Sequence, residues 1–215
     1  MASNLPGSVR QFGVAIRALV VFTIGLGIIY PLAMTGVAQA LFHSNANGSV
    51  IQVQGKDVAS DLIGQAYTKQ ATKDGKPEVD ADGKPVMVAD PLWFQTRPSA
   101  VDYDAMGSAA SQYGPNNAEL LAAIQERRKA VADLEGVDPS QVPPDAVTAS
   151  GSGLDPDISP AYAALQVNRV ARERGLDVAK VQQLVKENTK GRTLGFLGEP
   201  TVNVVTLNAD LAALK

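Results

Sequence analysis

The chain has no cysteine and a single histidine among its 215 residues. Without thiols there is no disulfide framework and no thiolate metal site. With His43 as the one imidazole, a Ser-His-Asp or Cys-His arrangement lacks its members, and a histidine zinc site is equally excluded. The phosphate-cradling pattern G-x-x-x-x-G-K-[ST] is missing, and so is any Asp-Lys-Thr-Gly-Thr phosphorylation segment. The chain therefore carries no recognisable machinery for hydrolysing ATP, and no catalytic residue is assigned. No Asp or Glu occurs before Asp57, and only Arg10, Arg17 and Lys56 are charged in that stretch. All 22 acids thus fall in the later part of the chain against 17 of the 19 basic residues, a formal charge of −5. That balance argues against a nucleic-acid surface, which needs clustered Lys and Arg.

What is present is one long uncharged run, the 25 residues Ala18–Phe42. As a helix rising 1.5 Å per residue it is about 37 Å long, enough to cross a bilayer core of about 30 Å with some tilt. No later segment is apolar enough to span again. Ala38-Gln39-Ala40 fits a signal-cleavage site, but the run exceeds the usual apolar stretch of a signal peptide, so a retained anchor is favoured. Arg10 and Arg17 on one flank against Lys56 on the other place the N-terminus inside. The expected organisation is a cytoplasmic tail over 1–11, a transmembrane helix over 12–42 and an extracytoplasmic domain over 43–215. His43 then lies at the membrane boundary, as an interfacial residue rather than a ligand. Within the anchor, Gly25, Gly27 and the Gly36/Ala40 pair offer close approach to other helices, although glycine is also commoner in membrane helices generally. Pro31 removes a backbone donor and should kink the helix near Tyr30.

The later part mixes strand and helix signals. Val50–Val53 reads as a short strand. Residues 68–91 are polar and repeat Asp74-Gly75-Lys76-Pro77 as Asp82-Gly83-Lys84-Pro85, turn chemistry that predicts an exposed hairpin or loop. Its acids do not fit calcium, because the position needing a bidentate Glu, counted from Asp80, is Pro91. Asn116 with Glu119 resembles a capping box opening a helix that ends at Gly136, with Leu120, Leu121, Ile124, Val131 and Leu134 on one face. A second helix runs from an N-cap at Ser159, through Pro160, to Gly175, with Ala161, Ala164, Leu165 and Ala171 as its expected buried face. A third starts at Asp177, with Val178, Val181, Leu184 and Val185 inward. Thr201–Leu207 is a β-branched run and predicts a strand. The fold class is therefore α/β, with α+β possible, behind a single N-terminal transmembrane helix. The Gly-rich turn Ser150–Gly153 runs into Asp155 and Asp157, whose charge disfavours phosphate, so it reads as a turn and cap.

Taken in order, these segments resemble the C subunit of the Kdp-type potassium-transporting ATPase over most of the chain. The stretches that carry the resemblance are Leu62-Ile63-Gly64-Gln65, Phe94-Gln95-Thr96-Arg97-Pro98-Ser99-Ala100, Val147 to Asp155, Ile158-Ser159-Pro160, Gln166 to Ala171 and Gly195 to Pro200. The 68–91 loop is longer than many members carry, and the family's usual Ser-Asn-Leu-Gly-Pro reads Ser111-Gln112-Tyr113-Gly114-Pro115 here. The resemblance implies an accessory, non-catalytic subunit of a high-affinity, ATP-driven potassium uptake pump in a bacterial inner membrane, needed for assembly and activity. It implies three partner chains, a channel-like potassium-selecting subunit, an ATP-hydrolysing P-type subunit and a small one-helix subunit, besides membrane lipid. The family is described as a catalytic chaperone that raises the ATPase subunit's affinity for ATP, so ATP enters through the complex and no cofactor or metal belongs to this chain alone. Gln166 lies in the segment tied to that idea, and its amide suits either a nucleotide contact or a contact within the protein. Arg97 is a candidate for a partner's carboxylate or for its own loop. The competing class is a stand-alone membrane-anchored extracytoplasmic binding or enzyme domain, which would need convergent polar groups in a pocket.

Overall fold

The computed structural model describes residues 6–53, 55–73 and 75–214. Asp74 of the first Asp-Gly-Lys-Pro copy, the first five residues of the predicted tail, and Lys215 lie outside the described residues. The chain divides into two compact units, one ending at Ser49 and the other beginning at Val50.

The first unit is a helical rod over Gly7–Leu41, long and apolar enough to cross a membrane. The helix starts at Gly7, because Pro6 is extended and its carbonyl accepts from Val9 and Arg10 N–H, at 3.0 and 3.2 Å. Helix α1 (Gly7–Ile24) passes through a π-helical turn over Gly25–Ile29 into α2 (Tyr30–Leu41). The wide turn sits where Pro31 has no N–H to give to the preceding turn, and Tyr30 N–H reaches back to Gly25 O. The irregularity expected from Pro31 is thus present as a widened turn rather than a break. A short helix α3 (His43–Ala46) follows.

The second unit begins with an antiparallel hairpin, β1 (Val50–Val53) and β2 (Lys56–Ser60), with an irregular register between Ile51 and Gln52. The polar 68–91 stretch is a two-tier arm. Strand β3 (Thr68–Gln70) pairs β6 (Met87–Ala89), and between them β4 (Thr72–Lys73) pairs β5 (Lys76–Pro77). In the second Asp-Gly-Lys-Pro copy the Asp80 carboxylate accepts from Asp82 and Lys84 N–H, both at 2.9 Å, a turn-forming use of the acid.

Helix α4 spans Ala118–Glu135. Its cap is Asn117, one residue later than the sequence pattern indicates, and Asn117 Oδ1 accepts from Glu119 and Leu120 N–H. Strand β7 (Asp157–Ile158) leads to α5 (Pro160–Arg174), capped by Ser159 Oγ on Tyr162 N–H and closed by Gly175 in the left-handed region, as the sequence predicts. Helix α6 (Val178–Glu187) is capped by Asp177. Strands β8 (Thr189–Lys190) and β9 (Thr201–Asn203) complete a three-stranded antiparallel sheet in the order β7-β9-β8.

The predicted strand over Thr201–Leu207 is corrected after its third residue. Asn203 Oδ1 accepts from Val205 and Thr206 N–H, both at 3.1 Å, and so starts helix α7 (Val204–Ala213). Local β propensity yields there to a cap and to burial of Val204, Leu207 and Leu211. The buried face of α5 also differs. Ala161 and Ala164 face outward, while Tyr162, Gln166, Val167, Arg169 and Val170 are buried. Leu121 on α4 and Val178 on α6 are likewise exposed. The core joins these helices to the sheet through Phe94, Tyr162, Val170, Val181, Val202 and Leu207, each worth about 1.5–3 kcal/mol when fully buried. The expectation of a mixed helix-and-sheet region behind one apolar helix holds, and the described pairings are antiparallel.

Candidate functional site

The segment Pro91–Ala100 runs through the domain outside any strand, so its backbone groups need partners other than a ladder. Side chains supply them. Phe94 N–H donates to Asn208 Oδ1 at 3.0 Å, and Asn208 Nδ2 donates back to Phe94 O at 2.9 Å. Gln95 N–H donates to Gln166 Oε1 at 2.6 Å, and Gln166 Nε2 donates back to Gln95 O at 3.1 Å. Two amides, one on α7 and one on α5, therefore stand in for a neighbouring strand.

Arg169 completes this brace. Its Nη1 donates to the carbonyls of Pro91 and Trp93 at 2.6 and 3.0 Å, and its Nη2 to Gln166 Oε1 at 2.9 Å. Its Nε lies 3.0 Å from both carboxylate oxygens of Glu135, at the last turn of α4. Both side chains of the pair are fully buried. Burial pushes the Glu135 carboxyl above its usual range, and the Arg169 charge works against that rise. Arg174, one turn further along α5, stacks 4.1 Å over the Trp93 ring and donates to Leu92 O.

Beyond the brace the segment lines an open groove of about 860 Å³. Its walls include residues 66–68, 87–89 of the arm, 95–99 with Asp102 and Tyr103, and Glu126, Arg127, Ala130, Val131, Asp133 and Leu134 of α4. Arg97 lies in this wall. Its Nη1 pairs with Asp155 Oδ2 at 3.1 Å, its Nη2 donates to Thr148 O at 3.4 Å, and its buried Nε has no hydrogen-bond partner. Tyr103 Oη donates to Arg97 O at 2.8 Å. Burial raises the phenol pKa of both Tyr67 and Tyr103, so both stay protonated at neutral pH. Gly64 packs where a Cβ would collide with the Tyr103 ring and Asp155 O, which explains the glycine in Leu62-Ile63-Gly64-Gln65. The groove is lined by three tyrosines, Tyr67, Tyr103 and Tyr162, together with Arg97, Arg127, Asp102, Glu126 and Asp133.

The residues singled out from sequence fall into separate places. Gln166 is fully buried, with both ends of its amide used inside the protein. Arg97 is on the groove wall, fixed by its own loop's Asp155. Gly25 and Gly27 lie in the π-helical turn, and Gly36 and Ala40 in α2. Glycines 25 and 36 have open space where a side chain would project. His43 lies in α3 with its Nδ1 3.3 Å from Asn47 Nδ2. Among the described residues no group of three His, Asp or Glu is placed to hold a metal ion. The Gly-rich turn uses its own N–H groups, with Gly153 donating to Ser150 Oγ and Leu154 to Ser152 Oγ. Sequence reasoning missed Glu135, Arg169 and Asn208. Arg169 had a signal: it shares a face with Gln166, three residues back, and sits between Val167 and Val170.

A family model described as "K+-transporting ATPase, c chain" matches residues 12–213. The chain belongs to the KdpC family. It is 46% identical to the "Potassium-transporting ATPase KdpC subunit" of Streptomyces avermitilis, with 100% of this chain and 98% of the relative covered. The protein of the same name from Kineococcus radiotolerans is 46% identical over 98% of this chain and 97% of its own length. That from Gemmatimonas aurantiaca is 47% identical over 88% of this chain and 85% of its own. KdpC membership makes this chain an accessory subunit of a potassium-transporting ATPase, and its one apolar N-terminal helix fits a membrane-anchored subunit.

Proposed function

We propose that this KdpC chain works by packing against its companion subunits and never by touching nucleotide. Its companions are a channel-like potassium-selecting subunit, an ATP-hydrolysing P-type subunit and a small one-helix subunit. Any rise in the pump's ATP affinity is then an effect on the ATPase subunit, transmitted through an element with two arrangements that both sites bias. The observation that carries this reading is Gln166. Its Oε1 accepts from Gln95 N–H and from Arg169, and its Nε2 donates to Gln95 O, all with no exposed surface. A side chain with both ends of its amide engaged and no exposed surface cannot reach a base or a phosphate. Calorimetry of the full chain in mild detergent with ATP should give no saturable heat, while the assembled pump responds to ATP. Tight, saturable binding to the purified chain would overturn the indirect reading.

The domain's side of the membrane belongs to the same proposal. Arg10 and Arg17 lie in the N-terminal turns of the rod, ahead of its charge-free run, and no acid precedes Asp57. That bias supports a cytoplasmic N-terminus and an extracytoplasmic domain, with the bacterial inner membrane as its setting. The cysteine-free sequence makes a clean test. A single Met106→Cys, at a site that is 95% exposed, should react with a membrane-impermeant thiol reagent in intact spheroplasts. Labelling only after lysis would invert the orientation and reopen direct nucleotide contact.

A further inference from the structure

The groove holds a polar group that the chain itself does not use. Tyr162, on α5, is only 2% exposed and lines the groove. Its backbone N–H takes the Ser159 cap, but among the described residues its hydroxyl has no hydrogen-bond partner. Burial raises the phenol pKa, and nearby Glu135 adds to the rise, so the proton stays in place at neutral pH. A buried hydroxyl is destabilising until it is hydrogen-bonded, and the groove is the side from which a partner reaches it. Arg97 adds spare donors on the same wall. Its Nη1 and Nη2 give one hydrogen each, to Asp155 and to Thr148 O, and each nitrogen carries two. Around these donors the groove is apolar at Met87, Val88 and Val131. Asp102 and Glu126 are exposed along it, and among the described residues neither has an ion-pair partner, while Arg127 is turned to Val147 O.

We infer that the groove seats an extended segment of another subunit of the same pump, whose backbone carbonyls accept from Tyr162 Oη and Arg97 and whose basic side chain meets Asp102 and Glu126. This deepens the accessory-subunit reading and rests on it. Three features select a polypeptide. The free donors ask for an acceptor, and the unpaired carboxylates beside them repel an anionic one, so a neutral carbonyl fits where a phosphate or an anionic lipid headgroup does not. The walls are also too open for a small ligand. Met87 and Val88 are 52% and 41% exposed, whereas a small-molecule pocket buries roughly 70–90% of its ligand. A chain running along the groove covers both walls at once. Tyrosine, arginine and methionine, finally, are the residue types enriched where one protein packs on another.

The test co-expresses the full chain with the other pump subunits and isolates the complex in mild detergent. Tyr162→Phe keeps the ring and removes only the hydroxyl. The purified chain should then melt at or above the wild-type temperature, because an unpartnered hydroxyl holds nothing within the chain. Retention of the companions should nevertheless fall about fivefold. Ala130→Trp, which fills the groove from α4, should lower retention at least about tenfold, while Ala122→Trp, exposed on the same helix but outside the groove, should leave it unchanged. A photo-reactive residue in place of Val88 should form an adduct with a peptide of another pump subunit. Adducts with lipid alone, equal losses in the two tryptophan variants, or undiminished retention in Tyr162→Phe and Ala130→Trp would overturn the seat. So would a Tyr162→Phe melt more than about 4 °C below wild type, which would mean that the hydroxyl is already used within the chain. Loss of retention by wild type itself would overturn the accessory-subunit reading beneath it.

Discussion

The anchor rod and helix α5 bury themselves in opposite ways. Beyond Arg17 the rod is apolar on every side, and among its described residues none is buried within the structure. Helix α5 is far more polar, yet seven of its residues are buried, among them Gln166 and Arg169. Apolarity thus predicts where surface must be covered but not what covers it. On the reading proposed above, the rod's covering comes from outside this chain, from lipid and neighbouring helices. The covering of α5 comes from inside, and there the polar groups have a structural task. They hold a segment, Pro91–Gln95, that has no strand partner. The groove wall and Arg97 follow that segment directly, so the buried polar brace sets the geometry of the surface.

The sharpest way to break the comparison is to remove Arg169. If α5 depends on its polar brace, Arg169→Met should be among the most damaging changes in the domain. It leaves Glu135 as an uncompensated buried carboxylate, a loss of about 3–5 kcal/mol, and it removes the donor to the carbonyls of Pro91 and Trp93. A domain of this size should then melt on the order of 10 °C lower. Adding Glu135→Leu should recover a large part, because an apolar pair can replace a buried ion pair. Recovery should stop short of wild type, since the Pro91 carbonyl loses its Arg169 donor, at about 1–3 kcal/mol, while Trp93 O keeps the hydrogen bond from Gln95 Nε2. Thermal melts of the detergent-solubilised single and double variants measure both steps. Full recovery would mean that the pair holds only itself and not the segment. A melt within about 2 °C of wild type for Arg169→Met alone would show that the brace contributes little, and the contrast with the rod would fall.

The same contrast explains which features were legible beforehand. The ends of α5 were, because Ser159-Pro160 and Gly175 act locally through a cap, a preset φ and a left-handed close. Its buried face was not. Periodicity gives weight to apolar residues, so it selected Ala161 and Ala164 and passed over Gln166 and Arg169, whose partners lie 34 to 78 residues away. Asn203 shows the same limit on a smaller scale. A β-branched run looks like strand throughout, and one amide that captures Val205 and Thr206 N–H turns half of it into helix. The rod needed no partner within the chain to be read, since a charge-free run of that length states its own solvent. Arg97 was legible as a residue of interest, but its pairing with Asp155, 58 residues away, was not.

The smaller test sharpens the rod's side. If its covering lies outside the chain, its glycines should matter only when neighbours are present. A Cβ at Gly25 or Gly36 meets nothing within 4 Å, and at Gly27 only an ordinary contact with Thr23 Cγ2 at 3.9 Å. Leucine at these positions therefore fits the helix itself, and its helix propensity exceeds glycine's by nearly 1 kcal/mol. Insertion and accumulation of Gly25→Leu, Gly27→Leu and Gly36→Leu should match wild type. In the pump, the bulk would stand where small residues let backbones approach, so retention of the companion subunits should fall by about threefold to tenfold. Ala40→Leu, one turn beyond Gly36 on the same face, should act in the same direction and more weakly. Quantitative co-purification from membranes, normalised to the amount of this chain inserted, separates the outcomes. Unchanged retention in all three glycine variants would mean that lipid, not protein, covers this face. The widened turn at Gly25–Ile29 would then answer only to Pro31.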